Sequence, residues 1–329
     1  MEITLRPLSL GEILDAAVGL YRRNFWLLVG VITLAEIPLL LGQVVLPLIF
    51  QTKDENVSSL YWLLANAANS LVRWIFVDGF GAAALSYAVA QRYLHQPTSI
   101  FAVYKRLGAS FFSLVGVLVL SPMLLLTALI WGLVPCIGWL SSAGILFFLS
   151  MAVVPLIPVV VMVEGRSAPG AMLRAWDLAR RRFFWLLGFN LVMGVFGWLL
   201  AVGPSLVAGT LAAALLENSI GAAAETLYAP IFSVSGTLFN MLFLPIQVGA
   251  WTLIYYDLRV RTEAFDLALL IADEPQQANR QTSLPALEKW LSGGDIAKVL
   301  LTSLFVAALF VLIYVLPIVL IFVLAALAR

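Results

Sequence analysis

The segment Gly170–Leu187, GAMLRAWDLARRRFFWLL, decides the fold of this chain because the chain carries it twice. Its near copy is Gly11–Leu28, GEILDAAVGLYRRNFWLL, and nine of the eighteen aligned positions are identical. Each copy has the pattern of a short amphipathic helix that ends in a basic cluster and runs into a long apolar segment. The sequence therefore predicts a unit in which a helix in the membrane interface leads into a membrane span.

Composition places the whole chain in a membrane. Of 329 residues, 62% are hydrophobic and 11% are charged, whereas a soluble domain carries about 25% charged residues. An apolar excess over this length is typical of a multi-pass membrane protein. Single copies of cysteine (Cys136) and histidine (His95) exclude a disulfide framework, a cysteine-rich metal site and any mechanism that needs two histidines. We expect no cofactor and no metal.

The first amphipathic helix is predicted over Leu8–Arg23. Ser9 to Glu12 fits a capping box, in which each side chain satisfies a free backbone N–H group. Apolar residues recur at helical spacing, namely Leu10, Ile13, Leu14, Ala17, Val18 and Tyr21. Such a helix is expected to lie among the lipid headgroups; the alternative is an ordinary amphipathic helix packed on protein.

The predicted fold class is an all-α, polytopic integral membrane protein with about seven transmembrane helices. The spans are predicted at Phe25–Phe50, Leu71–Tyr93, Phe111–Val134, Trp139–Val163, Phe183–Leu216, Tyr228–Tyr256 and Val299–Leu327. The predicted domains are a repeated membrane domain (1–271), a polar cytoplasmic linker (272–294) and a C-terminal transmembrane helix (295–329).

The repeated unit has a third, weaker copy. Tyr104–Arg106 followed by Phe111–Gly116 echoes the first copy with three residues inserted. We therefore predict three interfacial-helix and helical-hairpin units in one orientation. The alternative is that basic and aromatic residues recur at any cytoplasmic membrane boundary, which would account for the third copy alone.

Positive charge is concentrated on one side of the predicted topology. Sixteen of the nineteen Lys and Arg residues fall on the N-terminal side and two on the other. This asymmetry predicts a cytoplasmic (cell) membrane protein with its N-terminus in the cytoplasm. Seven of these residues form a predicted belt for anionic lipid headgroups: Arg22, Arg23, Lys105, Arg106, Arg180, Arg181 and Arg182.

Three distinctive segments are LRPLSLGEILDAAVGLYRRNF from Leu5, Val163–Arg166 followed by Ala171–Leu178, and Tyr255–Asp266. Together they resemble the membrane-domain family named after glycerophosphoryl diester phosphodiesterase, over roughly residues 5–270. Ala264 departs from the resemblance, because glycine is expected there. The resemblance implies a bacterial source and only the membrane part of such enzymes. Their catalytic barrel of ~250 residues needs paired histidines and metal-binding carboxylates. This chain has a single histidine, so we predict no enzymatic activity.

Two acidic residues end predicted spans. Glu164 and Asp257 each precede an arginine by two residues, Arg166 and Arg259 respectively. We interpret them as boundary ion pairs that orient the interfacial helices, since such pairs are ordinary. The alternative is that they bind a substrate or an ion.

Three ionisable residues lie within predicted spans, where each costs about 2.5–3.5 kcal/mol and often marks function. They are Glu36, Arg73 and Asp78, at depths of ~16, ~27 and ~20 Å from the cytoplasmic boundary. In an α-helix Arg73 and Asp78 would lie about 140° apart, so we predict that Arg73 pairs with Glu36. The alternative is that Arg73 extends alone to the outer interface.

Two functions fit these observations. The first is a non-enzymatic protein that organises lipids or partner membrane proteins through its basic belt. The second is a transporter or lipid-handling channel that uses the intramembrane charges. A water-filled cavity that reaches Asp78 would favour transport, and a packed interior there would favour the first function. The expected partners are membrane lipids with anionic headgroups and other membrane proteins; no feature indicates nucleic acid.

Overall fold

The computed structural model describes residues 6–49, 55–220, 224–271 and 293–310, and within these ranges every regular element is a helix. Six stretches are long and apolar enough to cross a membrane: Phe25–Val45, Leu63–Tyr93, Phe111–Trp131, Ile137–Glu164, Phe183–Leu216 and Ile231–Glu263. We call them spans 1 to 6. The prediction of an all-α, polytopic membrane protein is confirmed.

The helices have the following bounds. They are α1 Leu10–Arg23, α2 Phe25–Ile49, α3 Glu55–Val72, α4 Ala82–Tyr93, α5 Ile100–Ala109, α6 Phe111–Trp131, α7 Ile137–Phe148, α8 Ile157–Glu164, α9 Ala168–Arg181, α10 Phe183–Gly197, α11 Gly203–Ile220, α12 Ala224–Glu263, α13 Phe265–Ile271 and α14 Gly293–Phe310. Of the predicted seventh span, α14 is the described part. The rest of that span and nearly all of the predicted linker lie outside the described residues.

The capping box at the start of α1 is present as predicted. The Ser9 hydroxyl accepts from the backbone N–H of Glu12, and the Ser9 N–H donates to the Glu12 carboxylate at 2.8 Å. These bonds, with the nearby Arg6, lower the pKa of Glu12 to about 2. The apolar face of α1 packs on protein, because Ile13 and Ala17 are buried in the core. The centre of this face therefore packs on protein, which is the alternative interpretation given for α1.

Three short helices each precede a span after a one-residue break. α1 breaks at Asn24, α5 at Ser110 and α9 at Arg182, and the next helix starts with a phenylalanine in each case. The three short helices lie at the end of the bundle where spans 2, 4 and 6 terminate, which we call the basic end. That these units are copies of one repeat stays a prediction.

Three spans contain π-helical segments, which have i to i+5 hydrogen bonds. These are Arg73–Gly81 in span 2, Leu149–Val153 in span 4 and Trp198–Val202 in span 5. In span 4 the cause is local, since Pro155 has no N–H to donate and its ring crowds the carbonyl group four residues earlier. Segments of this kind are frequent at functional sites.

The C-terminal helix α14 docks on α7 without room for a side chain. The Gly144 N–H donates to the Ser303 hydroxyl at 2.8 Å. A Cβ atom on Gly144 would lie 2.3 Å from the carbonyl oxygen of Val299. The close backbone contact therefore depends on glycine at this position.

The turn between α12 and α13 contains one of the three non-glycine residues with a positive φ among the described residues, the others being His95 and Cys136. Ala264 adopts a φ of +51°, a left-handed conformation that favours glycine. This explains why the resemblance leads one to expect glycine there. The turn positions Phe265, whose ring is buried beneath Arg259.

Candidate functional site

A cavity of about 290 Å³ lies among spans 2 to 6. Its polar side chains come from all five spans and are Asp78, Ser86, Ser121, Ser150, Asn190 and Gln247. Trp74 and Trp251 also line the cavity, together with apolar side chains. Asp78 lies fifteen residues from Tyr93, where span 2 ends, which corresponds to a depth of roughly 22 Å along a helix. We call it the Asp78 cavity.

The irregular part of span 4 forms one side of the Asp78 cavity. Because Pro155 cannot donate to the carbonyl group of Met151, that carbonyl accepts a hydrogen bond from the Asn190 side-chain amide instead. Pro155, Met151 and Asn190 all line the cavity. The hydroxyl group of Ser121 is buried and has no partner among the described residues. The wall thus combines one fixed amide, Asn190, with a hydroxyl group that can still bond to a ligand.

A second cavity, of about 310 Å³, lies beside span 1. It is lined by polar side chains from spans 1, 2, 5 and 6, namely Gln43, Arg73, Ser205, Ser233, Thr237 and Asn240. The Gln43 amide and the Thr237 hydroxyl bond to each other at 2.9 and 3.0 Å. We call it the Arg73 cavity.

The structure pairs Arg73 with Asp78, not with Glu36. Arg73 Nε lies 3.8 Å from Asp78 Oδ2. The prediction that these side chains do not share a face is wrong, because it assumed an α-helix. In the π-helical segment each turn holds an extra residue, so side chains five positions apart become neighbours.

Glu36 is fully buried between spans 1, 2 and 6. Its Oε1 lies 3.4 Å from the side-chain nitrogen of Asn240, and its Oε2 has no hydrogen-bond partner among the described residues. Its carboxyl group therefore sits behind Asn240, at the back of the Arg73 cavity. Glu36 lies within span 1, where the charges of Arg73 and Asp78 both act on it, and its role stays a prediction.

Glu164 belongs to a buried charge cluster at the basic end, and it pairs with Arg166 at 2.5 Å as predicted. Arg174 adds a contact with Glu164 at 2.9 Å and a contact with Glu263 at 2.5 Å. Arg259 bonds to Glu263 at 2.9 Å and to the Tyr255 hydroxyl at 3.0 Å. The cluster joins α8, α9 and α12.

Arg174 holds its charge despite being 4% exposed. Burial alone would lower its pKa, but the hydrogen bond to Glu263 and the charge of Glu164 outweigh burial and raise the pKa. Two carboxylates thus stabilise the buried guanidinium group. This arrangement supports a structural role for the cluster.

Asp257 pairs with neighbouring arginines, but not with Arg259. Its carboxylate contacts Arg182 at 3.0 Å and Arg261 at 2.9 Å, and it accepts from the backbone N–H of Leu8 at 2.8 Å. Residues two apart in a helix point in nearly opposite directions, whereas residues four apart are neighbours. Asp257 therefore ties α1 and α9 to span 6, which is the orienting role predicted for it.

Some arginines of the predicted lipid belt contact other residues of the chain, and other members of the belt are exposed. Arg180 and Arg181 contact Asp177 at 3.0 and 3.5 Å, and Arg182 lies over the Trp185 ring at 4.3 Å. Arg106 donates to the carbonyl oxygen of Met162 at 3.3 Å. Arg22, Arg23 and Lys105 are exposed, and Arg181 is exposed as well in spite of its contact with Asp177. Lipid binding by the belt stays a prediction.

Sequence reasoning missed the uncharged polar residues that line the cavities. Asn190 and Gln247 are amides within long apolar segments, and Ser121 stands one residue before Pro122. Buried amides and hydroxyls require hydrogen-bond partners in hydrocarbon. Counting such residues in every span, rather than charged ones alone, would have indicated these cavities.

Within the described residues, no three His, Cys, Asp or Glu side chains are grouped as a metal site would require. The chain matches no protein-family model, no curated protein and no solved structure. The resemblance to the phosphodiesterase membrane-domain family therefore rests on the three quoted segments and stays a prediction.

Proposed function

We propose that this chain is a non-enzymatic membrane transport protein that passes a small polar solute, or the polar headgroup of a lipid, through the region of Arg73 and Asp78. The observation that supports the proposal is the cavity of about 290 Å³ at Asp78. Its size is close to the lower end of small-molecule sites, at ~300 Å³. A scaffold alone would gain nothing from a polar cavity in the hydrocarbon, where polar groups are costly.

The shape of the bundle also supports transport. π-helical segments supply lining residues to both cavities, and broken helices beside an intramembrane site are common in transporters. The carboxylates of Glu164 and Asp257 at the basic end, by contrast, already contact arginine side chains. The solute path is therefore proposed at the cavities and not at the basic end.

We expect water and small reagents to enter the Asp78 cavity. In a Cys136→Ser background, Ser121→Cys and Ser150→Cys should react with 2-aminoethyl methanethiosulfonate in membranes at least tenfold faster than Ala88→Cys. Ala88 is the control because it lies in span 2 but is completely buried by packing. Equal rates for all three variants would indicate a dry interior and would favour the organising function instead.

The second part of this test is flux through sealed proteoliposomes. The panel comprises radiolabelled amines, amino acids, carboxylates and sugars, together with fluorescent phospholipids. We expect uptake or flipping of at least one class, slowed at least tenfold by Asp78→Asn in protein that elutes as a folded species. Absence of flux for the entire panel would contradict transport.

The alternative function is organisation of anionic lipids or partner proteins at the basic end. The exposed side chains of Arg22, Arg23 and Lys105, together with Trp26 at 83% exposure, favour it. Trp at a membrane interface commonly anchors a helix. Lipid contacts there are compatible with transport through the cavities.

The proposed orientation places the basic end in the cytoplasm of a bacterial cell and the turn between spans 3 and 4 outside. Cys136 is exposed in that turn and is the only thiol in the chain. A membrane-impermeant maleimide should therefore label Cys136 in intact cells, and Cys136→Ser should abolish the signal. Labelling only after the cells are opened would reverse the proposed topology.

A further inference from the structure

The Arg73–Asp78 pair separates two cavities of opposite character. Asp78 lines one cavity and Arg73 lines the other. Their contact of 3.8 Å is longer than a hydrogen bond, and 39% of the Arg73 side chain and 46% of the Asp78 side chain are not covered by protein. Each charged group can therefore accept a second partner without losing its place in span 2.

The Asp78 cavity suits a cationic group. Of the described residues that line it, Asp78 alone is ionisable. Trp74 and Trp251 offer aromatic rings, whose faces attract ammonium groups. The hydroxyl group of Ser121, which has no partner among the described residues, can accept a hydrogen bond from an N–H donor.

The Arg73 cavity suits an anionic group. Of the described residues that line it, Arg73 alone is ionisable, and its guanidinium group presents several donors to carboxylate or phosphate oxygens. The hydroxyl group of Ser233 can add a further donor. Glu36 does not line this cavity, because its carboxyl group lies behind Asn240.

Charge balance selects between ligand classes. A bound cation alone would add a positive charge to the site, and a bound anion alone would add a negative charge. An uncompensated charge at this depth is costly. A zwitterion satisfies both groups at once, because its ammonium group replaces Arg73 beside Asp78 and its anionic group replaces Asp78 beside Arg73.

We propose that the two cavities together bind a small zwitterion, with its ammonium group at Asp78 and its phosphate or carboxylate group at Arg73. The ligand would separate Arg73 from Asp78 and form one ion pair with each of them. The inference rests on the proposed transport function in that it names the substrate class of the same site. The ammonium and phosphate groups could belong to a free aminoalkyl phosphate or to a phosphatidylethanolamine headgroup.

The test compares phosphoethanolamine with its two halves. Calorimetric titration of the purified chain in detergent should show that phosphoethanolamine binds at least tenfold more tightly than ethanolamine or inorganic phosphate. Arg73→Gln and Asp78→Asn should each abolish this preference. Because a single neutral substitution leaves one charge unpaired and can impair folding, the double variant Arg73→Gln/Asp78→Asn is included, and it should fold and lose the preference. Arg6→Gln, at an exposed position before α1, is the matched control and should retain it.

Nanodiscs separate the two sources of the headgroup. If the site takes a lipid headgroup, phosphoethanolamine should bind in phosphatidylglycerol nanodiscs and be competed away in phosphatidylethanolamine nanodiscs. If it takes the free compound, binding should be the same in both. Either result supports the zwitterion site.

The site is excluded if phosphoethanolamine binds no better than its halves, or if the double variant keeps the preference. Binding and flux can fail separately. Selective phosphoethanolamine binding without flux would contradict transport, whereas flux of a solute that is not zwitterionic would contradict this inference and leave transport in place.

Discussion

Arg174→Met is expected to destabilise the folded protein by about 3–5 kcal/mol, because removing one partner of a buried ion pair leaves an uncompensated buried charge. Arg174 contacts Glu164 at 2.9 Å and Glu263 at 2.5 Å, and its side chain is 3% exposed. After the substitution, Arg259 is the remaining buried guanidinium group for two buried carboxylates. The free energy of unfolding, or the melting temperature in detergent, measures the loss.

Arg166→Met is the matched control for this change. Arg166 contacts the same carboxylate, Glu164, but its side chain is 43% exposed. Exposed pairs contribute about 0–1 kcal/mol, so this variant should melt close to the parent protein. Arg174→Met combined with Glu263→Gln should recover part of the loss, since it removes the unpaired charge. Equal effects of the two arginine substitutions would show that the cluster is not buried as described.

Gly144→Ala is expected to disrupt the docking of α14 on α7 and to destabilise the protein by about 1–3 kcal/mol, as overpacking typically does. The added methyl group would lie 2.3 Å from the carbonyl oxygen of Val299 and 2.4 Å from the Ser303 hydroxyl. Because the first of these atoms belongs to the backbone, the helix itself must move. A lower melting temperature and faster proteolysis within α14 would record the change.

Gly194→Ala in span 5 provides the comparison. No atom lies within 4 Å of a Cβ atom built on Gly194, and alanine favours a helix over glycine by about 1 kcal/mol. This variant should therefore be as stable as the parent or slightly more stable. If both glycine substitutions behave alike, the close approach of α7 and α14 is not present in the membrane.

Most of the fold follows from patterns that act within one helix. The capping box predicts the start of α1 to within two residues, and α1 ends at Arg23 as expected. The phenylalanines at 25, 111 and 183 begin helices because the preceding residue departs from helical φ and ψ angles. Length and apolarity identify six spans directly.

The site could be predicted only in part, because its geometry depends on departures from the α-helix. Glu36, Arg73 and Asp78 are visible as charges in apolar segments, but their pairing depends on the π-helical segment. An apolar span has too few polar residues to show a helical period, so its sequence does not indicate where a turn holds an extra residue. The contact of Arg174 with Glu263 joins positions 89 residues apart, and a single sequence contains no signal for it.

The π-helical segment Arg73–Gly81 has an evolutionary consequence. Its turns have i to i+5 hydrogen bonds and so hold more residues than α-helical turns, and its nine residues carry both charges of the central pair. If deletion of a codon between Gly79 and Gly81 restored the α-helix, Arg73 and Asp78 would still be five residues apart and would point about 140° away from each other. Arg73 would then leave Asp78 although neither residue had been mutated. A lineage could thus lose or regain the ligand preference through a change in chain length alone.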